Sequence, residues 1–590
     1  MQSTIPDTLG DLSNVRGASS AELETRLDAL AVLARTPSGR ALFAEKQALV
    51  QEIVDLLDND EVSSGVKAEC LRVLVNMCAD DNTNRMLLFR ILGSIHKDVL
   101  ERRIRDEDTC RNGVILAYNL TDNAEWCNAL VKSGFGGVLV NHLATRHDSD
   151  TLGYMMETLA AMLTSDTATG DDFPDNTLRV IITSLDTDPS LCLALADALL
   201  AVLCFPKFQH IALENDAREL YRLCRLYESG VTYLETPGYD KDKEEDEEKN
   251  IRTLDLLLYR IDSFTSMVPE FNDIVLQYIA TSEVIALWIS WIAQLGTRGS
   301  RRLATAGVVL VGNVCLTASA CKYMVKERKV QAYLTATRIS PLRADTEFYT
   351  SALGLLRHLA VESLNKRVVA LDGAMQVVES VLTGSGADDM RVVVAALQLL
   401  RVLVTQCYEN AVAVMTGSSA GGDEMSISAC CMRYADATTP LAIRIEATRV
   451  LSALLCTLCT PGAGSDSLAF FSDPDHRKRW CGGLASVAAR VAAALMSSGG
   501  EFPADGDATP AHAMRIAGLR ALVLACGMDS EGAVVQHMLV QMGLCAWLEG
   551  IEGEEVEDGG DGDHGGRMRA EMHNARALFT RLRDGAGTTA

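Results

Sequence analysis

The sequence predicts an all-α chain, a right-handed solenoid of about ten or eleven stacked helical repeats. Three observations predict it. A chain of 590 residues is longer than one hydrophobic core usually supports, so it either splits into domains or grows by stacking. Hydrophobic residues make up 48% of the chain but aromatics only 5%, with 13 Pro, so Ala, Leu and Val carry the apolar load, a mixture that suits helices better than sheets. One pattern recurs along the length: an apolar helical stripe, a polar position, then a small or apolar residue and a short polar turn.

The clearest copies read LRVLVNMCADDNTNR at 71–85, VILAYNLTDNAEWC at 114–127, VVLVGNVCLTASAC at 308–321 and LGLLRHLAVESLNK at 353–366. Asn76, Asn119, Asn313 and His358 occupy the same place in them, the first pair 43 residues apart and the last pair 45. That period is the one of armadillo and HEAT units. Weaker copies at 27–40, 157–163, 194–204, 393–406, 446–459 and 514–526 fill the gaps. In the first copy Leu71, Leu74, Val75 and Cys78 fall at i, i+3, i+4 and i+7, one stripe of a helix, with the polar residue near its edge. A second apolar segment follows each copy, as at 135–142 and 374–382, and Gly134 and Gly373 punctuate, so two or three helices per unit fit. The β-branched run 392–396 belongs to an apolar pattern that continues to Val404, too long for an ordinary strand, and predicts helix.

In chain order the expected parts are an N-terminal tail, 1–19; an N-terminal repeat block, 20–234; an acidic disordered insert, 235–250, reading ETPGYDKDKEEDEEKN; a C-terminal repeat block, 251–550; and an acidic Gly-rich linker with a terminal helix, 551–590. The insert and the Gly-, Ser- and Asp-rich loops 417–424 and 497–510 have almost no apolar residues to anchor them, which predicts mobility. The stretch 552–566 precedes a short helix candidate at 568–582.

The charge of −25, from 79 acidic and 54 basic side chains, repels phosphates and anionic lipid heads, so nucleic acid is excluded and a basic partner favoured. The longest apolar stretch, 284–293, falls short of the roughly 20 residues a membrane span needs, and no membrane insertion is expected. Residues 1–9 are polar and lack the basic start and apolar run of a signal peptide, which predicts a cytosolic or nuclear protein. The 17 Cys, such as Cys70, Cys127, Cys192 and Cys315, sit mostly in apolar helical patterns and read as buried reduced thiols.

No catalytic, metal or cofactor constellation is found. Cys456 and Cys459 form a single CxxC without a second pair or a His pair, inside an apolar helical stretch, which favours core packing. Gly417, Ser419 and Gly421 spell GxSxG, but in a low-complexity loop rather than between strand and helix. The Gly-rich segments 134–137 and 384–386 lack the GK[ST] ending of a phosphate loop, and 558–563 lacks the spacing and final Glu of an EF-hand. The ten His show no HExxH, and the chain is read as no enzyme.

What remains is the recurring polar position. A lone Asn on a helix caps a turn or faces solvent. Asn76, Asn119, Asn313 and His358 recur in register, so stacking lines them along one groove, where an amide offers both donor and acceptor to a bound chain's backbone. The alternative is structural hydrogen bonding between repeats. Carboxylates follow closely: Asp80, Asp81, Asp122, Glu125 and Glu362; of these Asp80, Asp122, Glu125 and Glu362 are the acidic rim expected to steer a basic ligand.

At 303–330, with VGNVCLTASACKYMV, and at 352–373, ALGLLRHLAVESLNKRVVALDG, the chain resembles the SmgGDS family, armadillo-repeat guanine-nucleotide dissociation stimulators of Rho- and Rap-type small GTPases. His358 stands where that family commonly has Asn, and residues 20–234 resemble armadillo proteins generically. The resemblance implies a non-covalent exchange factor or chaperone: a groove grips the GTPase switch region and lets GDP leave, and the partner's polybasic, prenylated C-terminal tail suits the acidic chain. The competing expectation is a general scaffold or transport adaptor for basic extended peptides. Its importin version is disfavoured by the missing WxxxN ladder and by only five Trp.

Overall fold

The computed structural model describes residues 19–582 apart from 94–95, 107–108, 146–147, 186–195, 215–216, 237–243, 267–282, 295–299, 337–345, 385–388, 417–425, 460–473, 498–508, 527–534 and most of 541–572. Among the described residues the secondary structure is helical and no strand occurs. The chain divides into two compact units, 1–267 with 282–284, and 268–281 with 285–590.

In the first unit the elements are α1 (Ser20–Ala34), α2 (Pro37–Glu45), α3 (Gln47–Asp58), α4 (Ser64–Cys78), α5 (Asn82–Leu92), α6 (His96–Arg105), α7 (Cys110–Thr121), α8 (Ala124–Lys132), α9 (Phe135–Leu143), α10 (Ser149–Leu163), α11 (Thr177–Leu185), α12 (Ala196–Val202), α13 (Pro206–Leu213), α14 (Arg218–Glu235) and α15 (Glu244–Ser266). The leading helices stack in one row: α1 on α4, α4 on α7, α7 on α10, α10 on α12 and α12 on α15. The shorter helices form rows behind it, with α2 on α5, α6 on α9 and α9 on α11.

The second unit carries most of α16 (Glu283–Gln294), then α17 (Arg301–Val314), α18 (Ala318–Lys326), α19 (Val330–Ala336), α20 (Thr346–Leu359), α21 (Ser363–Val369), α22 (Met375–Thr383), α23 (Met390–Val404), α24 (Tyr408–Thr416), α25 (Ile427–Tyr434), α26 (Leu441–Cys459), α27 (Pro474–Ser497) and α28 (Thr509–Cys526). Its leading row is α17, α20, α23, α26 and α28, each packed on the next. Both units are thus stacked helical repeats of armadillo type, mostly three helices each.

Local chemistry sets these elements. Ser63 accepts from the Val66 amide to cap α4, Ser300 from Leu303 to cap α17, and Asp389 from Arg391 to cap α23. Along α4, Val66, Cys70, Leu71, Val73, Leu74, Met77 and Cys78 are buried, a stripe wide enough to pack on both stacked neighbours. Each such fully buried Leu contributes about 1.5–3 kcal/mol. The run 392–396 lies inside α23, so the apolar period decides the local state over β-propensity.

The two punctuating glycines adopt left-handed backbone, Gly134 at φ 76° and Gly373 at φ 112°. At Gly373 the chain passes from α21 to α22 through a π-helical turn, Ala370–Ala374, and a Cβ there would lie 2.9 Å from Thr335 Cβ. Of the acidic stretch 235–250, Glu235 closes α14 and 244–250 open α15, which packs on α14 and α12 in the first unit; 237–243 lies outside the described residues. The segments 1–18, 417–424, 498–508 and 552–566, with the GxSxG string and 558–563, also lie outside them, while 573–582 is helical.

Candidate functional site

The recurring polar residues sit near the C-terminal ends of the leading helices, half-buried, where one repeat stacks on the next. Asn76 Nδ2 donates to the Ala31 carbonyl at 2.9 Å, and Asn119 Nδ2 donates to the Val75 carbonyl at 3.0 Å. The acceptors lie 45 and 44 residues back, on the preceding leading helix. The His358 ring, one full row later, hydrogen-bonds the backbone of Gly312 in the same sense. Asn313 is half-buried at the equivalent place on α17. Asn76, Asn119 and His358 thus each hydrogen-bond the protein's own backbone on the preceding leading helix.

His358 differs from the asparagines. Its Nδ1 is buried and has no hydrogen-bond partner, an unpaired polar atom that calls for a ligand or a proton-free ring. Burial first, and then the Arg357 guanidinium, hold its pKa below the ordinary value, which favours the neutral ring.

The rim carboxylates divide as well. Asp122 accepts from Arg85 Nη2 at 2.7 Å, and Glu362 lies 3.4 Å from Lys322 Nζ; each ties one repeat to the next. Asp80 is exposed, in left-handed backbone at φ 52°, and Glu125 is exposed in the first turn of α8. Asp81 caps α5 by accepting from the Asn84 amide.

A second, fully buried row of asparagines was not singled out in the sequence. Asn84 donates to Arg40 O at 2.9 Å and Met77 O at 3.1 Å; Asn410 donates to Lys366 O at 3.2 Å and Leu403 O at 3.0 Å; Asn365 donates to Leu359 O at 2.9 Å. Each closes the turn after a leading helix, and two of the three also bridge to the repeat before. The signal was present: Asn84 follows Asn76 by eight positions and Asn365 follows His358 by seven.

Between α21–α22 and α24–α25 lies an open cleft of about 280 Å³, lined by Leu371, Met375 and Glu379 on one side and Asn410, Val414 and Ile427 on the other. Beside it α21 and the turn after it expose Leu364, Val368 and Leu371, 64, 41 and 72% exposed, at i, i+4 and i+7. Asp372 and Glu409 stand exposed near it.

Cys456 and Cys459 lie in α26 as free thiols, half-buried and buried, and burial pushes Cys459 up to about 12. Cys70, Cys127 and Cys315 are buried and free; Cys192 lies outside the described residues. Among the described residues no three His, Cys, Asp or Glu are placed to hold a metal ion. No single described helix is long and apolar enough to cross a membrane.

Stacked repeats with a row of leading helices in each unit define the class: an all-helical repeat protein with an armadillo-like fold. A family model described as the BEM4 N-terminal domain matches residues 12–201, about a third of the chain. A solved structure titled for a phosphorylation switch controlling the interaction between cadherin and beta-catenin is 12% identical, with a TM-score of 0.52, over 97% of this chain and 100% of that one. At that identity the likeness is one of fold. An engineered protein of known structure is 17% identical over 76% of this chain and 99% of its own, with a TM-score of 0.44. No curated protein matches the chain.

Proposed function

We propose that this scaffold binds a small GTPase of the Rho or Rap type and promotes release of its GDP, or chaperones it, without covalent chemistry and in the cytosol. The supporting observation is His358: within the two repeats that resemble the exchange stimulators, the leading row keeps a buried ring nitrogen with no partner of its own. Asn313, one repeat before it, is the second contact, and Asn76 and Asn119 follow with the oxygen of each amide. The GTPase's polybasic tail is drawn by the charge of −25 and by Glu379, Asp372 and Glu409 around the cleft, with Asp80, Asp122, Glu125 and Glu362 as the acidic rim. The exposed stripe Leu364, Val368 and Leu371 offers the apolar surface that a prenyl group on that tail requires.

The experiment is nucleotide release. GTPases preloaded with fluorescent GDP are mixed with the protein, and the signal is followed. Faster release that depends on the protein's concentration supports an exchange factor. Unchanged release with retained capture of basic peptides supports the general scaffold instead.

A further inference from the structure

The leading row of the second unit carries a cluster of cations that the overall charge conceals. Arg357 on α20, Arg401 on α23 and Arg449 on α26 come from three consecutive stacked helices, the first two 44 residues apart. Arg401 Nε and Arg449 Nη1 donate to the two oxygens of Glu446, at 3.3 and 2.6 Å, and Arg357 Nη1 donates to Gln398 Oε1 at 2.5 Å. Glu446 is buried, its side chain 8% exposed, whereas Arg401 and Arg449 keep 28 and 24% of theirs in solvent. Among the described contacts three guanidiniums thus share one carboxylate and one amide.

On the corresponding row of the first unit, Arg72 meets both Asp28 and Glu69, and Arg111 meets Asp150, so neither of these arginines shares its carboxylate with another arginine among the described contacts. Around Arg401 burial disfavours the charge most, Arg449 and more weakly Arg357 repel it, and Glu446 offsets them in part, so its pKa is lowered. Each guanidinium has five N–H donors in a planar fork, and one per residue is used among the described contacts. Half-buried guanidiniums with spare donors form strong, paired hydrogen bonds to carboxylates.

We infer that Arg357, Arg401 and Arg449 form a binding site for an acidic, extended peptide segment of a partner protein, along the row of leading helices in the second unit. Stacked helices lie about 8–10 Å apart. A chain in the extended polyproline-II conformation advances about 9 Å per three-residue turn and returns to the same face, so carboxylates spaced at i and i+3 reach successive arginines. Glu446 holds the cluster together in the free protein and competes with the ligand for Arg401 and Arg449. The site is opposite in sign to the surface proposed for a basic tail, and it stands whether or not that partner is a GTPase.

The test uses the full chain and synthetic fluorescent peptides of twelve residues: one with Glu at every third position, its phosphoserine counterpart, and one with Lys in place of Glu. The Glu peptide binds wild type. Arg357→Gln with Arg401→Gln, which leaves the Glu446–Arg449 pair intact, weakens it about tenfold or more, and Glu446→Gln tightens it several-fold. The melting temperature of each variant is recorded, and helical content shows that it folds. Should the double variant unfold, the Glu446→Gln change alone carries the test, because a merely structural carboxylate has no reason to oppose binding. Absence of Glu-peptide binding, equal binding of the Lys peptide, binding of the phosphoserine peptide alone, or tightening absent in Glu446→Gln each overturns the assignment.

Discussion

Asn119 Nδ2 donates to Val75 O at 3.0 Å across 44 residues of sequence, and Asn76 makes the same bond to Ala31 one repeat earlier. The two bonds show how these repeats are joined: a polar side chain near the end of one leading helix is fastened to a carbonyl of the leading helix before it. Asn119→Ala and Asn76→Ala should each cost about 0.5–1.5 kcal/mol, since a half-buried bond is lost and water reaches part of the gap. Asn84→Ala should cost more, about 1–3 kcal/mol, because Asn84 is fully buried and two carbonyls lose their donor. Urea denaturation of the three variants checks the order.

The Arg85–Asp122 pair is asymmetric: Arg85 is 8% exposed and Asp122 55%. Arg85 also donates to Cys78 O at 3.0 Å. Arg85→Ala should therefore destabilise by about 2–3 kcal/mol, and Asp122→Ala by about 1 kcal/mol or less after solvent screening. If Asp122 serves mainly to draw a basic ligand, its substitution instead slows association and leaves the urea midpoint in place.

The low pKa of His358 has a definite sign. The unfolded ring takes up a proton near pH 6.5 and the folded ring resists it, because burial and Arg357 disfavour the cation. The contribution is fully present above about pH 6.5 and is lost as pH falls from there toward the lower folded value. His358→Asn should flatten that part of the stability profile while leaving the plateau at pH 8 little changed, which thermal unfolding between pH 5 and 8 reads directly.

Two glycines separate backbone strain from helix propensity. Gly373→Ala should destabilise by about 1–3 kcal/mol, because φ is 112° and the new Cβ meets Thr335. Gly312→Ala, inside α17 with nothing within 4 Å of the new Cβ, should stabilise by about 0.5–1 kcal/mol. Opposite shifts in melting temperature are the expected result.

Much of the fold was legible because stacking repeats must restate their chemistry. The stripe Leu71, Leu74 and Cys78 and the 43- to 45-residue interval announce amphipathic helices of armadillo length, and α4, α7, α17 and α20 lie where those copies fall. The destination of Asn76 and Asn119 was not legible: an amide at the edge of an apolar stripe is equally able to face a ligand or the next helix, and only the packing chooses. The buried roles of Asn84, Asn365 and Asn410 are not legible in the sequence, because these residues follow polar turns at the start of short helices, where asparagine is ordinary. The arginine cluster was hidden by the average, since a net charge of −25 says nothing about three cations brought together from 44 and 48 residues apart.

The most direct measurement is the affinity of a GDP-loaded Rho- or Rap-type GTPase for wild type and for Asn313→Ala with His358→Ala, with the melting temperature of both proteins. A partner that uses this row predicts binding to wild type, a loss of about 0.5–2 kcal/mol of binding per substitution, and only a modest shift in melting temperature. Full affinity in a double variant whose melting temperature clearly falls would contradict it and leave Asn313 and His358 as fasteners between repeats.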